Sequence, residues 1–376
     1  MSYNNGTDGQ NAEKRDTDIM KPDDIAEYLK QVYQKEIAIT GTGKLGETDE
    51  GLKGFGYGKP LLIRFLADGE PKTAVLSSMR TEGGFGHDHF SDRAQILIWQ
   101  HATFNKLPKH VRSIDAGYFT HDGRLKSAGD AEEYFLLMEE VEGTEYFLDL
   151  ERISAKGATE LDEERAFALS DYLVDIHSRR SDNHELYVRR IRDIVGHGEC
   201  IMGLMDSYPD NLDFITEKEL SEIEKSCVDW RWRIKSRTNR LCMVHGDFHP
   251  WNVMWREGTD FTVLDRSRGE WGEAADDVSS MSINYIFYSL QKDGRLDHDF
   301  KQIYDRFMGH YLEKTEDWEI LKIVQLFYAF RGLVVASPVW YPNLDREIRI
   351  KLFNFIRNIL LEDEFDYQDV NSYFSG

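Results

Sequence analysis

The chain has 376 residues, 41% hydrophobic and 30% charged, with 46 basic against 68 acidic side chains for a formal charge of −22. That length accommodates two lobes with separate cores, and the composition is that of a soluble globular protein. The acidic balance excludes nucleic acid as the expected partner, because binding it depends on Lys and Arg neutralising phosphates. Residues 1–22 offer no face to bury and read as a disordered tail. Asp23 to Tyr33 follows Pro22 as a short helix, and Glu36 to Thr40 reads as a strand. A glycine-rich segment over 41–58 precedes the apolar strand Leu61 to Leu66. The turn Asp68-Gly69-Glu70-Pro71 then leads to Thr73–Leu76, so the pair is expected to form a hairpin. Ser91 to Leu107 has helical spacing, with Ser91 as the expected N-cap and Asp92 in the first turn. Tyr134 to Met138 reads as an apolar strand that ends in the acidic segment Glu139 to Gly143.

Beyond Gly143 the pattern changes to long amphipathic helices, expected over 163–178, 220–234, 278–291, 300–313, 318–336 and 345–362. Strands first and helices later, with one hairpin inside the helical half, predict a two-lobed α+β protein. The expected division is a β-rich N-terminal lobe over 23–140 and a mainly helical C-terminal lobe over 141–376. Three scattered cysteines, Cys200, Cys227 and Cys242, lack metal-ligand spacing and read as reduced thiols in a cytoplasm. No apolar run reaches the ~18 residues of a membrane span. The longest, Ile323 to Tyr341, is broken by Arg331 and Pro338.

The densest chemistry lies in His245-Gly246-Asp247-Phe248-His249-Pro250-Trp251-Asn252, with Asp265 thirteen residues further on. Val253 to Trp255 and Phe261 to Leu264 read as two short strands around a turn at 256–260. Such a hairpin returns Asp265 toward Asn252 and leaves Asp247 on the preceding loop. A carboxylate, an amide and a second carboxylate so arranged suit orienting a hydroxyl and holding Mg²⁺ against ATP phosphates.

This segment resembles the catalytic loop of the aminoglycoside phosphotransferase and choline kinase family, a branch of the protein-kinase-like fold. Asp265, Gly272 and Asp277 match that family's pattern downstream of the loop. The resemblance implies a small-molecule kinase that moves the γ-phosphoryl group of ATP or GTP to a substrate hydroxyl. It assigns Asp247 as catalytic base and Asn252 and Asp265 as Mg²⁺ ligands. Asp277 becomes the buried acceptor for loop N–H groups, with Asp276 as its alternative, and His245 and His249 become structural supports of the loop. Gly54, Gly56 and Gly58 would approach the nucleotide phosphates, and the backbone of Glu139, Glu140 and Val141 would meet the base.

The same residues have plainer readings. Asp247 could cap its own turn, Asn252 could hold a tight turn, and Asp265 could close the hairpin. Glu270 and Glu273 lie where a substrate could approach, or form a solvated acidic loop. Trp230, in the run Trp230-Arg231-Trp232-Arg233, could stack on a substrate ring or fill the core. No G-x-x-x-x-G-K-[ST] pattern occurs, which excludes a P-loop. One departure from the family stands out: the third strand carries Ser77 near the position of the usual phosphate-binding Lys. Lys72, Arg80 or Arg64 would have to substitute, and Asp92 is the nearest acid to the expected helix Glu. Two competing readings remain: a catalytically weak, pseudokinase-like binding protein, and a metal-dependent phosphohydrolase using His245, Asp247 and His249.

Overall fold

In the computed structural model the described residues are 20–44, 58–79 and 86–376. They form two compact units on either side of the Met138–Glu139 bond. Gly54, Gly56, Arg80 and most of the expected N-terminal tail lie outside the described residues.

The first unit begins with α1 (Pro22–Tyr33), which has Pro at its first turn and Asp23 and Asp24 beside the positive end of the helix dipole. Three antiparallel strands follow, β1 (Ile37–Lys44), β2 (Gly58–Ala67) and β3 (Glu70–Met79), in the order β1-β2-β3. The β2–β3 turn is Asp68-Gly69, both with positive φ (50° and 84°), the conformation that favours Asp-Gly in a two-residue hairpin. Alternation along β3 turns Lys72, Ala74 and Leu76 inward and leaves Thr73, Val75 and Ser77 exposed. Ile25 and Leu29 of α1 pack with Leu61, Ile63 and Phe65 of β2 as the unit's small core.

α2 (Phe90–Phe104) is capped by His89, whose backbone N–H donates to Asp92 Oδ2 at 3.0 Å. The helix therefore starts before Ser91, and Asp92 is engaged in its capping box. The hairpin β4 (Gly117–Phe119) and β5 (Leu125–Ser127) completes the unit. The expected strand over Tyr134–Met138 does not form: no strand occurs between Ser127 and Thr144, and Phe135 is 92% exposed. A short apolar run carries no periodicity that distinguishes a paired strand from an unpaired segment, and here no strand partners it.

The second unit opens with β6 (Thr144–Glu145), α3 (Tyr146–Lys156), α4 (Glu160–Ser178), α5 (His184–Gly196), α6 (Ile201–Asp206) and α7 (Glu217–Ile234). The short strands β7 (Cys242–Met243), β8 (Val253–Trp255), β9 (Phe261–Val263) and β10 (Trp271–Gly272) follow. Four helices complete it: α8 (Ala274–Asp293), α9 (His298–Thr315), α10 (Val324–Ala336) and α11 (Arg346–Leu361). The expected helix over 318–336 is divided, with a 3₁₀ turn at Trp318–Lys322 ahead of α10.

One continuous apolar core runs through this unit. α8 is buried on nearly every side, which marks a central helix rather than an amphipathic surface one. Two of its small polar side chains bond back to the helix: Ser282 Oγ donates to the Val278 carbonyl at 2.6 Å, and Asn284 Nδ2 to that of Ser280 at 2.8 Å. Among the described residues no helix is long and apolar enough to cross a membrane.

Candidate active site

Two ladders of short strands frame the loops that carry the chemistry. β7 pairs with β10, Met243 facing Trp271, and β8 lies between β6 and β9. The 244–252 loop therefore runs from the first ladder to the second, and the 264–270 loop runs back. Gly272 stands where the ladders need it, since a Cβ there would lie 3.0 Å from a Val244 methyl.

The first loop is pinned by one carboxylate. Asp277, fully buried near the start of α8, accepts the His245 N–H on Oδ2 and the Gly246 N–H on Oδ1, both at 2.7 Å. His177 Nε2 lies 3.1 Å from the same Oδ2, and its Nδ1 lies 2.8 Å from the Tyr311 hydroxyl. Burial alone would raise the Asp277 carboxyl, but the imidazoles of His177 and His245 and the loop N–H groups hold it lower than an ordinary aspartate. Gly246 then turns the chain with φ +86°, and a Cβ there would come within 3.2 Å of the Arg268 Cβ.

Asp247 follows. Its N–H donates to His245 Nδ1 at 3.3 Å, and its carbonyl accepts from Asn252 Nδ2 at 3.0 Å. The carboxylate is bound at both ends: Oδ1 takes Arg331 Nη1 at 2.6 Å, and Oδ2 lies 3.4 Å from His249 Nε2. Burial would raise this carboxyl too. The His249 imidazole and the guanidinium groups of Arg331 and Arg268 outweigh it and hold Asp247 well below the usual carboxylate range. Arg331, 5% exposed on α10, also donates to the Gly246 carbonyl at 3.1 Å and to Asp276 Oδ1 at 2.6 Å. Asp277 thus pins the loop backbone, while Asp276 anchors the arginine that holds Asp247.

The β8–β9 hairpin forms as expected. The Leu264 N–H donates to the Asn252 carbonyl at 2.9 Å, which sets Asp265 next to the residue paired with Asn252. Asp265 has positive φ (53°) and is exposed, and no hydrogen bond or ion pair among the described residues engages its carboxylate. Asn252 is buried and spends its Nδ2 on Asp247, so no donor among the described residues claims its Oδ1. An amide oxygen and one open carboxylate are the hard donors Mg²⁺ takes when phosphates and water supply the rest. Among the described residues no three His, Cys, Asp or Glu side chains converge as a metal site. His245 and His249 instead accept backbone N–H groups on Nδ1, from Asp247 and Trp251.

Three expected substrate contacts are placed differently. Trp230 is 3% exposed and its Nε1 donates to the Leu360 carbonyl at 2.9 Å, so it belongs to the core. Glu273 caps α8 and is buried against Arg240, whose Nε and Nη2 reach it at 2.8–3.1 Å, and against the Tyr187 hydroxyl at 2.9 Å. A side chain so enclosed and so bonded has no face for a ligand. Glu270 remains exposed and accepts Trp271 Nε1 at 2.7 Å. In the segment expected to meet the base, Glu139 and Glu140 are exposed and Val141 half-buried, without strand structure. Gly58 opens β2.

The sequence profile described as "Phosphotransferase enzyme family" matches residues 118–318. The chain is also similar to three solved structures. Choline kinase from Cryptosporidium parvum Iowa II shares 12% identity over 90% of this chain and 87% of that one, with a TM-score of 0.33. An ADP-bound aminoglycoside phosphotransferase shares 16% over 88% and 96%, with a TM-score of 0.31. An amicoumacin kinase in complex with AMP-PNP, Ca²⁺ and Ami shares 13% over 88% and 91%, with a TM-score of 0.37. No curated protein sequence matches the chain.

Proposed function

From the premise that this chain belongs to the phosphotransferase enzyme family, we propose that it moves the γ-phosphoryl group of ATP or GTP to a hydroxyl of a small molecule, with Asp247 as the residue that receives that hydroxyl. The observation that carries the reading is the placement of Asp247, Asn252 and Asp265 on two adjoining loops, the first pinned by Asp277 and Arg331.

Asn252 Oδ1 and Asp265 would hold Mg²⁺, which when bound neutralises charge on the β- and γ-phosphates. Asp247 accepts the hydroxyl's hydrogen bond and aims its oxygen at phosphorus. Its cationic neighbours keep Asp247 ionised, so it orients the hydroxyl. As the new O–P bond forms and the bond from the γ-phosphorus to the nucleoside diphosphate breaks, Asp247 Oδ2 takes the hydroxyl proton. His249, beside Oδ2, limits the directions from which the hydroxyl can arrive.

Calorimetric titration of ATP and GTP, with and without Mg²⁺, into wild type and Asp265→Asn tests the nucleotide site. Mg²⁺-dependent binding that the substitution weakens supports the proposal, and Asp247→Ala should then bind nucleotide while losing transfer. The absence of binding to either nucleotide would end it. A second reading, a nucleotide-binding protein with weak turnover, is favoured by β3, where Ser77 stands in place of the family Lys, and by the capping role of Asp92. Intact binding without transfer to any hydroxyl compound would select it.

A further inference from the structure

We propose that the acceptor carries an anionic group beside its reacting hydroxyl, a carboxylate or a phosphate, and that the Arg268 guanidinium binds it. This rests on the phosphotransferase reading for the identity of Asp247 as the hydroxyl's partner.

Arg331 occupies Asp247 Oδ1. The hydroxyl must therefore meet the Oδ2 edge of that carboxylate, and the rest of the acceptor lies against the loop's surroundings. Arg268 lies beside the same loop: a Cβ on Gly246 would come within 3.2 Å of its Cβ, and its charge acts on the Asp247 carboxyl. Its half-buried side chain runs to a guanidinium 3.7 Å from Cys200 Sγ and 5.0 Å from the Phe330 ring centroid. Arg331 lies 4.8 Å from the same ring, so two guanidinium groups flank Phe330 beside the catalytic loop.

The two arginines differ in their counter-charges. Arg331 is matched by Asp247 and Asp276. Arg268 has no carboxylate within 4.0 Å among the described residues; a thiol and an aromatic face are its neighbours. Nearby, Asp193 is shared by Arg189, Arg190 and Arg192 on α5, and Arg190 also reaches the Trp271 carbonyl at 2.9 Å.

The carboxylates that a cationic acceptor would need are engaged elsewhere. Glu273 is locked to Arg240 and Asp276 to Arg331, Asp265 is assigned to Mg²⁺, and Glu270 is exposed but accepts Trp271 Nε1. An ammonium-bearing acceptor would meet guanidinium groups. A neutral polyol would leave Arg268 without a contact ion partner, its nearest negative charges being the more distant carboxylates of Asp247 and Asp276. An anion supplies that contact partner, and the planar fork of a guanidinium matches carboxylate and phosphate oxygens two at a time.

The test uses matched compounds of one size and three charges, titrated calorimetrically into the full chain with and without saturating Mg·AMP-PNP. D-glycerate and glycerol 3-phosphate are compared with glycerol and 3-amino-1,2-propanediol, and D-gluconate with D-glucitol and D-glucamine. Saturable binding is expected for at least one anion and for none of its neutral or cationic counterparts. It should be weakened about 10- to 100-fold in Arg268→Ala and partly retained in Arg268→Lys. Glycerate against glycerol 3-phosphate decides between carboxylate and phosphate. Binding of a neutral or cationic member as tight as its anion, anion binding indifferent to Arg268→Ala, or no saturable anion binding would overturn the proposal. Failure of Mg·AMP-PNP to bind would instead strike the phosphotransferase reading, and the nucleotide-free titrations still report the charge preference.

Discussion

Arg331 lies 84 residues downstream of Asp247 and places its Nη1 2.6 Å from the Asp247 Oδ1. A residue at the centre of an apolar helix thus fixes one oxygen of the carboxylate proposed to receive the acceptor and leaves the other to face it.

Arg331→Met removes the cation and strands Asp247 and Asp276 in a buried setting. Breaking a buried pair on one side costs about 3–5 kcal/mol, read as a lower urea midpoint. Arg331→Lys keeps the charge but loses the fork that spans Asp247, Gly246 and Asp276. Transfer by the Lys variant should fall through kcat with nucleotide affinity unchanged. Wild-type kcat in Arg331→Lys would show that the clamp is irrelevant to turnover.

Asp277→Asn replaces a charged double acceptor by an amide that can take only one of the two loop N–H groups. Hydrogen bonds to charged groups are worth about 1.5–3 kcal/mol each. The variant should lose about 3 kcal/mol of stability in denaturant unfolding and lose transfer as well, although no atom of Asp277 is proposed to touch substrate. A stable variant with normal transfer would contradict the pinning.

Glu273 and Trp230 separate structural residues from binding residues. Glu273→Gln leaves Asp317 as the close carboxylate of Arg240 and should destabilise by about 1.5–3 kcal/mol through the lost charged hydrogen bonds. Trp230→Ala should cost about 3–5 kcal/mol through the cavity it opens. Neither should change KM for the acceptor in the fraction that remains folded. A raised KM at normal stability would return either residue to the binding surface.

The His245 imidazole is buried, and burial holds its pKa below the ordinary 6.5. The unfolded chain binds a proton that the folded chain refuses. Its contribution is therefore complete above about pH 6.5 and is lost as pH falls toward the native value. The thermal midpoint should decline as the pH is lowered from about 8 to 5. In His245→Asn, whose Oδ1 can still accept the Asp247 N–H, the decline should be shallower. Equal slopes in the two proteins would assign the acid sensitivity to other groups.

The loop proposed to be catalytic was legible as a candidate because its residues are local: Asp247, Asn252 and Asp265 are joined by one hairpin of two short apolar strands around the turn at 256–260. Arg331 was visible only as an interruption of the apolar run Ile323 to Tyr341. A lone charge in such a run implies a buried partner, but nothing in the spacing names Asp247 as that partner. Helices α4 and α7–α11 were readable from periodicity, with ends misplaced by a few residues because caps such as Thr159 and Thr216 stand outside the apolar pattern, whereas the shorter α3, α5 and α6 were not read. Tyr134–Met138 failed for the opposite reason: five apolar residues in a row carry no period. Trp230 and Glu273 were ambiguous because a sequence gives residue type without exposure.

Asp277 stands at the first turn of the buried helix α8 and holds the loop by two backbone bonds. The start of the loop is therefore set from α8, and its remaining bonds, such as Asn252 Nδ2 to the Asp247 carbonyl, build on that anchor. Its geometry is a readout of whether α8 is seated among α3, α4, α9 and α10, so activity serves as a reporter of folding for the second unit. On heating or in denaturant, catalysis and the helical core should fail in one step. An inactive state with that core intact should not accumulate along the way.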